Sequence, residues 1–285
     1  MTNVQHESDV HALNQAYYER NATRYEAGSW YYFNGYKSRA VSCELRRCIG
    51  LLAHRRDIEV LEIGPGTGYL LGKLLAATST PIRYTCVEHA EAMADILHCR
   101  YATDCESMRV IKESISGERC RELFSERRFD LILGGSILHH LPDYHQVVAA
   151  LSNLVRDGGV MYFVREPLHR DDCAPSGLLR DVLSGIFGAI HNVLMMPAIR
   201  KLLWPRKVRA ENARNVAIHM FRDGVSLRPF REITEDGFFV VFHRRYNRRV
   251  STLLSYLDNV WLAKFRKDIF SNTLFSIGLQ KKASP

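Results

Sequence analysis

The sequence lacks several patterns that would place it in other classes of protein. It contains no uncharged apolar run near the roughly 20 residues that a membrane-spanning helix needs. Its first 30 residues contain no apolar segment typical of a signal peptide. The seven cysteines include no C-x-x-C pair, which argues against a structural metal site and a disulfide framework. Together these absences predict a cytoplasmic protein with reduced thiols and no bound metal.

The composition is that of an ordinary folded domain, but its charge is distributed unevenly. The 285 residues are 46% hydrophobic and 25% charged, which suits one elaborated α/β domain with a large core. Residues 176–285 contain 19 Lys and Arg against 8 Asp and Glu, and the densest basic stretch is 243–249. A solvated loop beside a sheet edge is the favoured interpretation of that stretch. An anionic small molecule or a membrane surface stays open as its partner.

A glycine-rich turn, EIGPGTG, occupies residues 62–68 between a predicted strand at 58–63 and a predicted helix at 69–76. Such a turn is where an open α/β sheet binds ligands. Its spacing is G-x-G-x-G, unlike the G-x-G-x-x-G of dinucleotide-binding turns. A phosphate-binding loop would also need a Lys-Ser or Lys-Thr pair after the last glycine, and none follows. The Glu62 carboxylate, two residues before the first glycine, suits an ammonium group better than a pyrophosphate.

Further predicted strands follow in order, each with informative residues at its end. Residues 82–87 form a strand that ends at Glu88, 20 residues beyond Gly68, where a carboxylate can accept hydrogen bonds from two ribose hydroxyls. The later strands and the residues beside them are 109–112 with Glu113 and Ser114, 129–133 with Gly134 and Gly135, and 160–164 after the glycine pair at 158–159.

This ordered set of strand ends, with the LHHLPD segment at 138–143, resembles the class I S-adenosylmethionine-dependent methyltransferases. The resemblance covers residues 55–167 firmly, the N-terminal 50 residues loosely and the C-terminal 110 through the last two strands. It implies a Rossmann-like α/β fold: a seven-stranded, mostly parallel sheet with helices on both faces, a helical N-terminal lid and a helical cap insertion after strand 5. The implied cofactor is S-adenosyl-L-methionine. The residues implied to bind it are Glu62, Gly64, Gly66, Gly68, Glu88, Glu113, Ser114, Gly135, Tyr17 and Tyr25.

The same resemblance divides the chain into segments. They are an N-terminal helical lid at 1–54, a cofactor-binding core at 55–167, a helical cap insertion at 168–225, and the C-terminal part of the core sheet with the basic segment at 226–285. Apolar residues on one helical face predict a helix at 37–54, and a serine cap predicts another at 226–236. The final antiparallel strand pair is expected at 238–243 and 273–281.

Two of these segments are expected to close the acceptor site. In the lid, the stretch from Tyr17 to Tyr25 loosely resembles the Y-x-x-x-A-x-x-Y segment of related enzymes. In the cap, residues 185–197 are apolar and contain methionine, which suits an adaptable pocket. The same apolar pattern would also fit a segment that lies on a membrane surface.

Two residues are candidates for a general base. His140 follows the fourth predicted strand, where cofactor and acceptor should meet, and its titration range suits proton transfer. Glu166 ends the fifth predicted strand and could also bind an amine acceptor. The alternative for each is a satisfied polar group that structures a loop. The neighbouring His139 is expected to point elsewhere.

The sequence therefore predicts a methyltransferase that acts on an oxygen or nitrogen atom of a small-molecule acceptor, a biosynthetic metabolite. The alternative is a membrane-held acceptor such as a lipid or quinone. A nucleic-acid acceptor is disfavoured, because residues 134–137 replace the N-P-P-Y-type segment of base methylators and no Pro-Cys pair occurs. Peripheral membrane contact, a homo-oligomer, and a cofactor-binding protein that no longer methylates stay open.

Overall fold

The computed structural model describes residues 12, 14–25, 36–172, 224–247 and 273–283. Within these ranges the strands are β1 (Ile58–Ile63), β2 (Ile82–Val87), β3 (Ser107–Ile111), β4 (Phe129–Gly135), β5 (Val155–Pro167), β6 (Phe238–Asn247) and β7 (Thr273–Lys281). They form one seven-stranded sheet in the order β3-β2-β1-β4-β5-β7-β6.

The helices alternate with the strands through most of the described chain. They are α1 (Tyr36–Leu51), α2 (Tyr69–Leu75), α3 (Glu91–Tyr101), α4 (Gly117–Phe124), α5 (Tyr144–Leu154) and α6 (Arg228–Glu235). A further N-terminal helix occupies residues 14–21. None of the helices in the described ranges is long and apolar enough to cross a membrane.

The connections explain the strand directions. A helix between successive strands returns the chain to the opposite end of the sheet, so β1 to β5 are parallel. β7 runs antiparallel to both β5 and β6, between which it lies. The predicted fold, a Rossmann-like sheet with helices on both faces, is confirmed. The predicted cap at 168–225 falls mostly on 173–223, outside the described residues, and stays a prediction.

Each face of the sheet buries its own apolar core. One core joins α1 and α2 to the sheet through Leu45, Leu71 and Leu131, all fully buried. The opposite core joins α4, α5 and α6 through Phe124, Val147 and Phe230. Burying one such side chain contributes about 1.5–3 kcal/mol, so packing on both faces holds the strand ends in fixed positions.

Two helix boundaries differ from the expected ones by two or more residues, and both have identifiable reasons. α1 ends at Leu51 rather than at residue 54, because the chain tightens into a turn in which the amide of Leu52 donates to the carbonyl of Ile49. α6 begins at Arg228, two residues later than expected. The Asp172 carboxylate accepts the Leu227 amide at 2.8 Å, so the residues before α6 are held in a capping turn rather than in the helix.

Candidate active site

The glycine turn after β1 is built from left-handed backbone. Gly64, Gly66 and Gly68 have φ values of 59°, 56° and 90°, a region that side chains with a Cβ rarely adopt. A Cβ on Gly64 would lie 2.5 Å from Cδ1 of Ile137, whereas a Cβ on Gly66 would have no atom within 4 Å. The turn is therefore packed at Gly64 and open at Gly66, where a ligand can approach the backbone.

Glu88, at the end of β2, is tied to this turn. One carboxylate oxygen accepts the Gly66 amide at 2.9 Å, and the other accepts the Ala90 amide at 2.9 Å. The side chain is 4% exposed, and burial raises its pKa despite these hydrogen bonds. The oxygen that accepts from Ala90 also lies 3.4 Å from Nδ1 of His89, so the oxygen that accepts from Gly66 is the one with more capacity for a hydroxyl donor of a ligand.

Glu62 lies beneath the turn rather than at its surface. It is 1% exposed, and the Tyr84 hydroxyl donates to its Oε2 atom at 2.7 Å. Burial raises its pKa to about 7, and the nearby Glu88 charge adds to the rise. Glu62 is therefore divided between its acid and carboxylate forms near neutral pH, and a cation placed beside it would favour the carboxylate.

An open cleft lies at the carboxyl edge of the parallel strands. The residues that line it are Asn14, Gly64, Val87, His89, Glu113, Ser114, Ile115, Ile137, His140 and Leu141. The predicted residues Glu113 and Ser114 thus share the cleft with the glycine turn. Glu113 also accepts from Nε of Arg119 at 2.7 Å, and this hydrogen bond lowers its pKa.

Glu166 is fully buried behind the loop that follows β4. Its Oε1 atom accepts the amides of Ile137 and Leu138 at 2.7 and 3.0 Å. Its Oε2 atom accepts the His139 amide at 3.3 Å and lies 2.9 Å from Nδ1 of His139. These four contacts hold the loop and the His139 ring in place. This is the structural role that was the alternative to catalysis for Glu166.

His140 occupies a different environment from its neighbour. Its Nε2 atom lies 3.2 Å from the Tyr18 hydroxyl. Its Nδ1 atom is buried and has no hydrogen-bond partner among the described residues, although the ring lines the cleft. Burial, with the neighbouring His139, holds the pKa of His140 well below its ordinary value. The ring is therefore neutral at physiological pH, as a general base must be.

The N-terminal helix docks beside the cleft through its side chains. Gln15 donates to the carbonyl of His89 at 3.1 Å. The Glu19 carboxylate accepts the first two amides of α3, those of Glu91 and Ala92, the latter at 3.0 Å. A carboxylate at a helix N-terminus is favourable because it satisfies free amides and complements the helix dipole.

Tyr18 is the tyrosine at the centre of this docked segment. Its ring makes edge contacts with Tyr17, Tyr25, His89 and His140 at centroid distances of 5.3–6.1 Å. The predicted cofactor residues Tyr17 and Tyr25 therefore pack around it. The sequence prediction began its motif at Tyr17, but Tyr18, Ala22 and Tyr25 carry the Y-x-x-x-A-x-x-Y spacing in register.

Two further features were not found from the sequence. Ser136 and Arg165 have left-handed φ values of 55° and 64°, and no other non-glycine residue in the described ranges has a positive φ. The Ser136 hydroxyl donates to the Arg165 carbonyl at 3.3 Å, and the Arg165 guanidinium lies 4.4 Å from the Tyr69 ring centroid. Such strain costs about 1–3 kcal/mol per residue and clusters at functional sites. The two strained residues lie at the ends of β4 and β5, next to Gly135, a predicted cofactor-binding residue.

Most residues of the site lie in a region that is similar to proteins of one family. Residues 61–161 match the family model described as a methyltransferase domain. The chain is 28% identical over 143 residues to lovastatin nonaketide synthase from Monascus pilosus, covering 48% of this chain and 5% of that protein. It is 23% identical over 155 residues to a highly reducing polyketide synthase from Preussia isomera, covering 50% and 6%. The chain thus spans a small part of these relatives.

A solved structure extends the similarity to most of the described fold. A protein from Galdieria sulphuraria, provisionally described as a sarcosine dimethylglycine methyltransferase, superposes with a TM-score of 0.52 at 12% identity. The alignment covers 87% of this chain and 86% of that one. At this identity the likeness supports the fold.

Proposed function

We propose that this chain, which belongs to the class I S-adenosylmethionine-dependent methyltransferases, transfers a methyl group to an oxygen or nitrogen atom of a small-molecule acceptor. The observation that carries the proposal is the His140 ring, which lines the cleft beside the glycine turn and whose buried Nδ1 atom has no hydrogen-bond partner among the described residues. We propose that this atom takes the proton that the acceptor loses.

We infer that S-adenosylmethionine, which supplies an activated methyl group on a sulfonium, binds beside the glycine turn at this edge of the sheet. The open side of Gly66 allows the backbone to approach the cofactor, and Glu88 beside it would accept the ribose hydroxyls. Glu62 would meet the ammonium group, and Glu113 with Ser114 would lie near the adenine. Gly68 and Gly135 complete the turn and the facing strand end, and Tyr17 with Tyr25 would close the lid.

The protein's own contribution is alignment, exclusion of water and proton removal. We assign the base role to His140 and a positioning role to Glu166, because the Glu166 carboxylate is occupied by four contacts to its own loop. Since Glu166 also lies 2.9 Å from Nδ1 of His139, it fixes the ring next to the base.

A second candidate is an acidic carbon of a polyketide-like acceptor. It is favoured by the 28% identity to a polyketide synthase over 48% of this chain. The same base would serve both candidates, because a carbon acceptor must also lose a proton to form the new bond.

Transfer of a labelled methyl group to a panel of acceptors tests the proposal. The panel should contain phenols and carboxylic acids, primary and secondary amines, and β-keto thioesters for the second candidate. On the acceptor that is methylated, His140→Gln should lower kcat by about 10²–10⁴-fold while the affinity for S-adenosylhomocysteine stays unchanged. His98→Gln, at an exposed position on α3, is the matched control. Full turnover by His140→Gln would overturn the base assignment.

A further inference from the structure

We propose that Tyr18 is a positioning residue for His140. In this arrangement the Tyr18 hydroxyl accepts a hydrogen bond from Nε2–H, so that Nδ1 keeps a free lone pair in the ring that lines the cleft. Docking of the N-terminal helix would then prepare the base. The inference rests on the proposed role of His140 as the proton acceptor.

The first support is the geometry around the imidazole. The Tyr18 hydroxyl lies 3.2 Å from Nε2, and the two rings meet edge to face with centroids 5.8 Å apart. The His140 ring also lies against the His139 ring, with centroids 4.1 Å apart. Because Glu166 holds His139, the His140 ring is fixed between an anchored neighbour and the lid tyrosine.

The second support comes from the hydrogen-bond inventory of the two nitrogens. A neutral imidazole carries one N–H and one lone pair. If Nδ1 held the proton, a buried N–H would lack a partner among the described residues, and orphaned buried donors are rarer than under-satisfied acceptors. If Nε2 holds the proton, the Tyr18 oxygen accepts it, and the O–H of this half-buried side chain can donate to water or to a ligand. Burial raises the pKa of Tyr18 well above its ordinary value, so the phenol stays neutral in either case.

The third support is the way the helix places Tyr18. The next residue, Glu19, accepts the first two amides of α3, and Ala22 packs against Ala90 and Met93. These contacts fix the helix on α3 and not on His140. The position of the Tyr18 hydroxyl is therefore set by the docking of the helix, which would link closure of the lid to the state of the base.

The proton balance of the step is simple. As the acceptor's electron pair forms its bond to the methyl carbon, the electron pair of the S–C bond stays on sulfur. The acceptor's O–H or N–H proton passes to Nδ1 of His140. The resulting imidazolium keeps Nε2–H bonded to Tyr18, so the new positive charge has a hydroxyl acceptor at 3.2 Å.

Nitrogen NMR tests the tautomer directly. Long-range ¹H–¹⁵N spectra should be recorded on the ¹⁵N-histidine-labelled protein bound to S-adenosylhomocysteine, with His140 assigned from the signal lost in His140→Gln. We expect a protonated Nε2 and an unprotonated Nδ1 in the wild-type protein. Tyr18→Phe, which keeps the ring packing, should shift the population toward protonated Nδ1 and lower kcat about tenfold. Tyr144→Phe removes a hydroxyl that accepts from the Ser226 amide, and its ring lies against His145 rather than His140, so it should change neither readout.

A second variant tests whether the position of the Tyr18 hydroxyl matters as well as its presence. Glu19→Ala keeps the Tyr18 hydroxyl but removes the carboxylate that docks the helix, and it should shift the tautomer in the same direction. A wild-type spectrum with protonated Nδ1, or a Tyr18→Phe spectrum equal to wild type, would overturn the proposal. Failure of the proposed function would look different, because His140→Gln would then keep full methyl transfer whatever the tautomer.

Discussion

Among single residues, Glu62 is a carboxylate whose charge the fold controls closely. It is buried between two strands with Tyr84 as its hydrogen-bond donor, and burial raises its pKa to about 7. Binding a cofactor ammonium group nearby would favour the ionised form. Cofactor binding should therefore release a proton from Glu62 when the pH lies below its pKa.

This linkage predicts how the affinity depends on pH. Affinity for S-adenosylhomocysteine should rise as the pH increases from about 5 to about 7, because less free energy is then needed to ionise Glu62. Glu62→Gln, which keeps an acceptor for Tyr84, should lose most of this dependence. Calorimetry in buffers with different ionisation heats measures both the affinity and the proton release. A Glu62→Gln curve parallel to wild type would contradict the role of Glu62.

The same residue also gives the unliganded protein a pH-dependent stability. Because the pKa of Glu62 is raised above its ordinary value, its stabilising contribution is complete at low pH and is lost as the pH rises through about 7. Each unit of pKa difference corresponds to about 1.4 kcal/mol. Denaturation of Glu62→Gln beside wild type isolates this contribution from those of other carboxylates.

The role of a residue could be predicted from the sequence where a local pattern determines its position. It could not be predicted where a partner far away in the chain determines its contacts. The position of Glu88 follows from the end of β2. The docking of Tyr18 on His140 joins residues 122 apart in the chain, so no local pattern contains it. Likewise, nothing near Glu166 in the sequence indicates that its partners are the amides of the loop after β4.

Among the elements, the glycine turn after β1 combines a backbone requirement with a ligand requirement. Gly66 has a left-handed φ of 56° and open space where a Cβ would stand. Gly158, in β5, has the same two properties, with a φ of 75°. Alanine should strain the backbone by about 1–2 kcal/mol at either position, but only Gly66 lies in the predicted cofactor site.

Comparison of the two alanine variants separates strain from binding. Gly66→Ala and Gly158→Ala should lower the free energy of unfolding by similar amounts, and both should fold. Gly66→Ala should in addition weaken S-adenosylhomocysteine binding by at least tenfold, because its methyl group blocks the ligand's approach. Paired denaturation and calorimetric titration measure the two effects. Equal affinities for the two variants would place the cofactor elsewhere.

Strand cores were more predictable than element boundaries. Apolar runs predicted β1 at 58–63 and β2 at 82–87, and the family resemblance predicted β7 at 273–281, each with the bounds now observed. β5 was expected at 160–164. It also pairs with β4 at Val155, on the N-terminal side of a register shift, so the strand runs from Val155 to Pro167. A glycine pair suggested a turn there, and only the neighbouring strand shows that the ladder continues.

For the whole molecule, the site is assembled from segments that are far apart in the chain. The N-terminal helix reaches His89 and His140, while the loop after β4 reaches Gly64 through Ile137. A ligand that contacts all of them binds the folded chain and has no equivalent site in the unfolded chain. Cofactor binding should therefore stabilise the fold as a whole.

The size of this stabilisation can be predicted. At a free concentration 100 times Kd, S-adenosylhomocysteine should add about 2.7 kcal/mol to the free energy of unfolding, which corresponds to a rise of roughly 5–10 °C in Tm. ATP serves as a control ligand, because the turn lacks the Lys-Ser or Lys-Thr pair of a phosphate-binding loop. A thermal shift assay compares them, and an equal rise with ATP would count against the cofactor assignment.

The place of β7 in the sheet has a consequence for synthesis on the ribosome. β6 is translated first but lies at the edge, whereas β7 is translated later and lies between β5 and β6. Until residue 281 has emerged, the nascent chain presents β5 with an unpaired edge, although Val160–Val164 are fully buried in the finished sheet. An exposed apolar strand edge is a template for pairing with other chains. Because β7 follows β6 in the chain, β5 keeps an unpaired edge until the end of synthesis. The order of these two strands therefore determines the risk of co-translational aggregation.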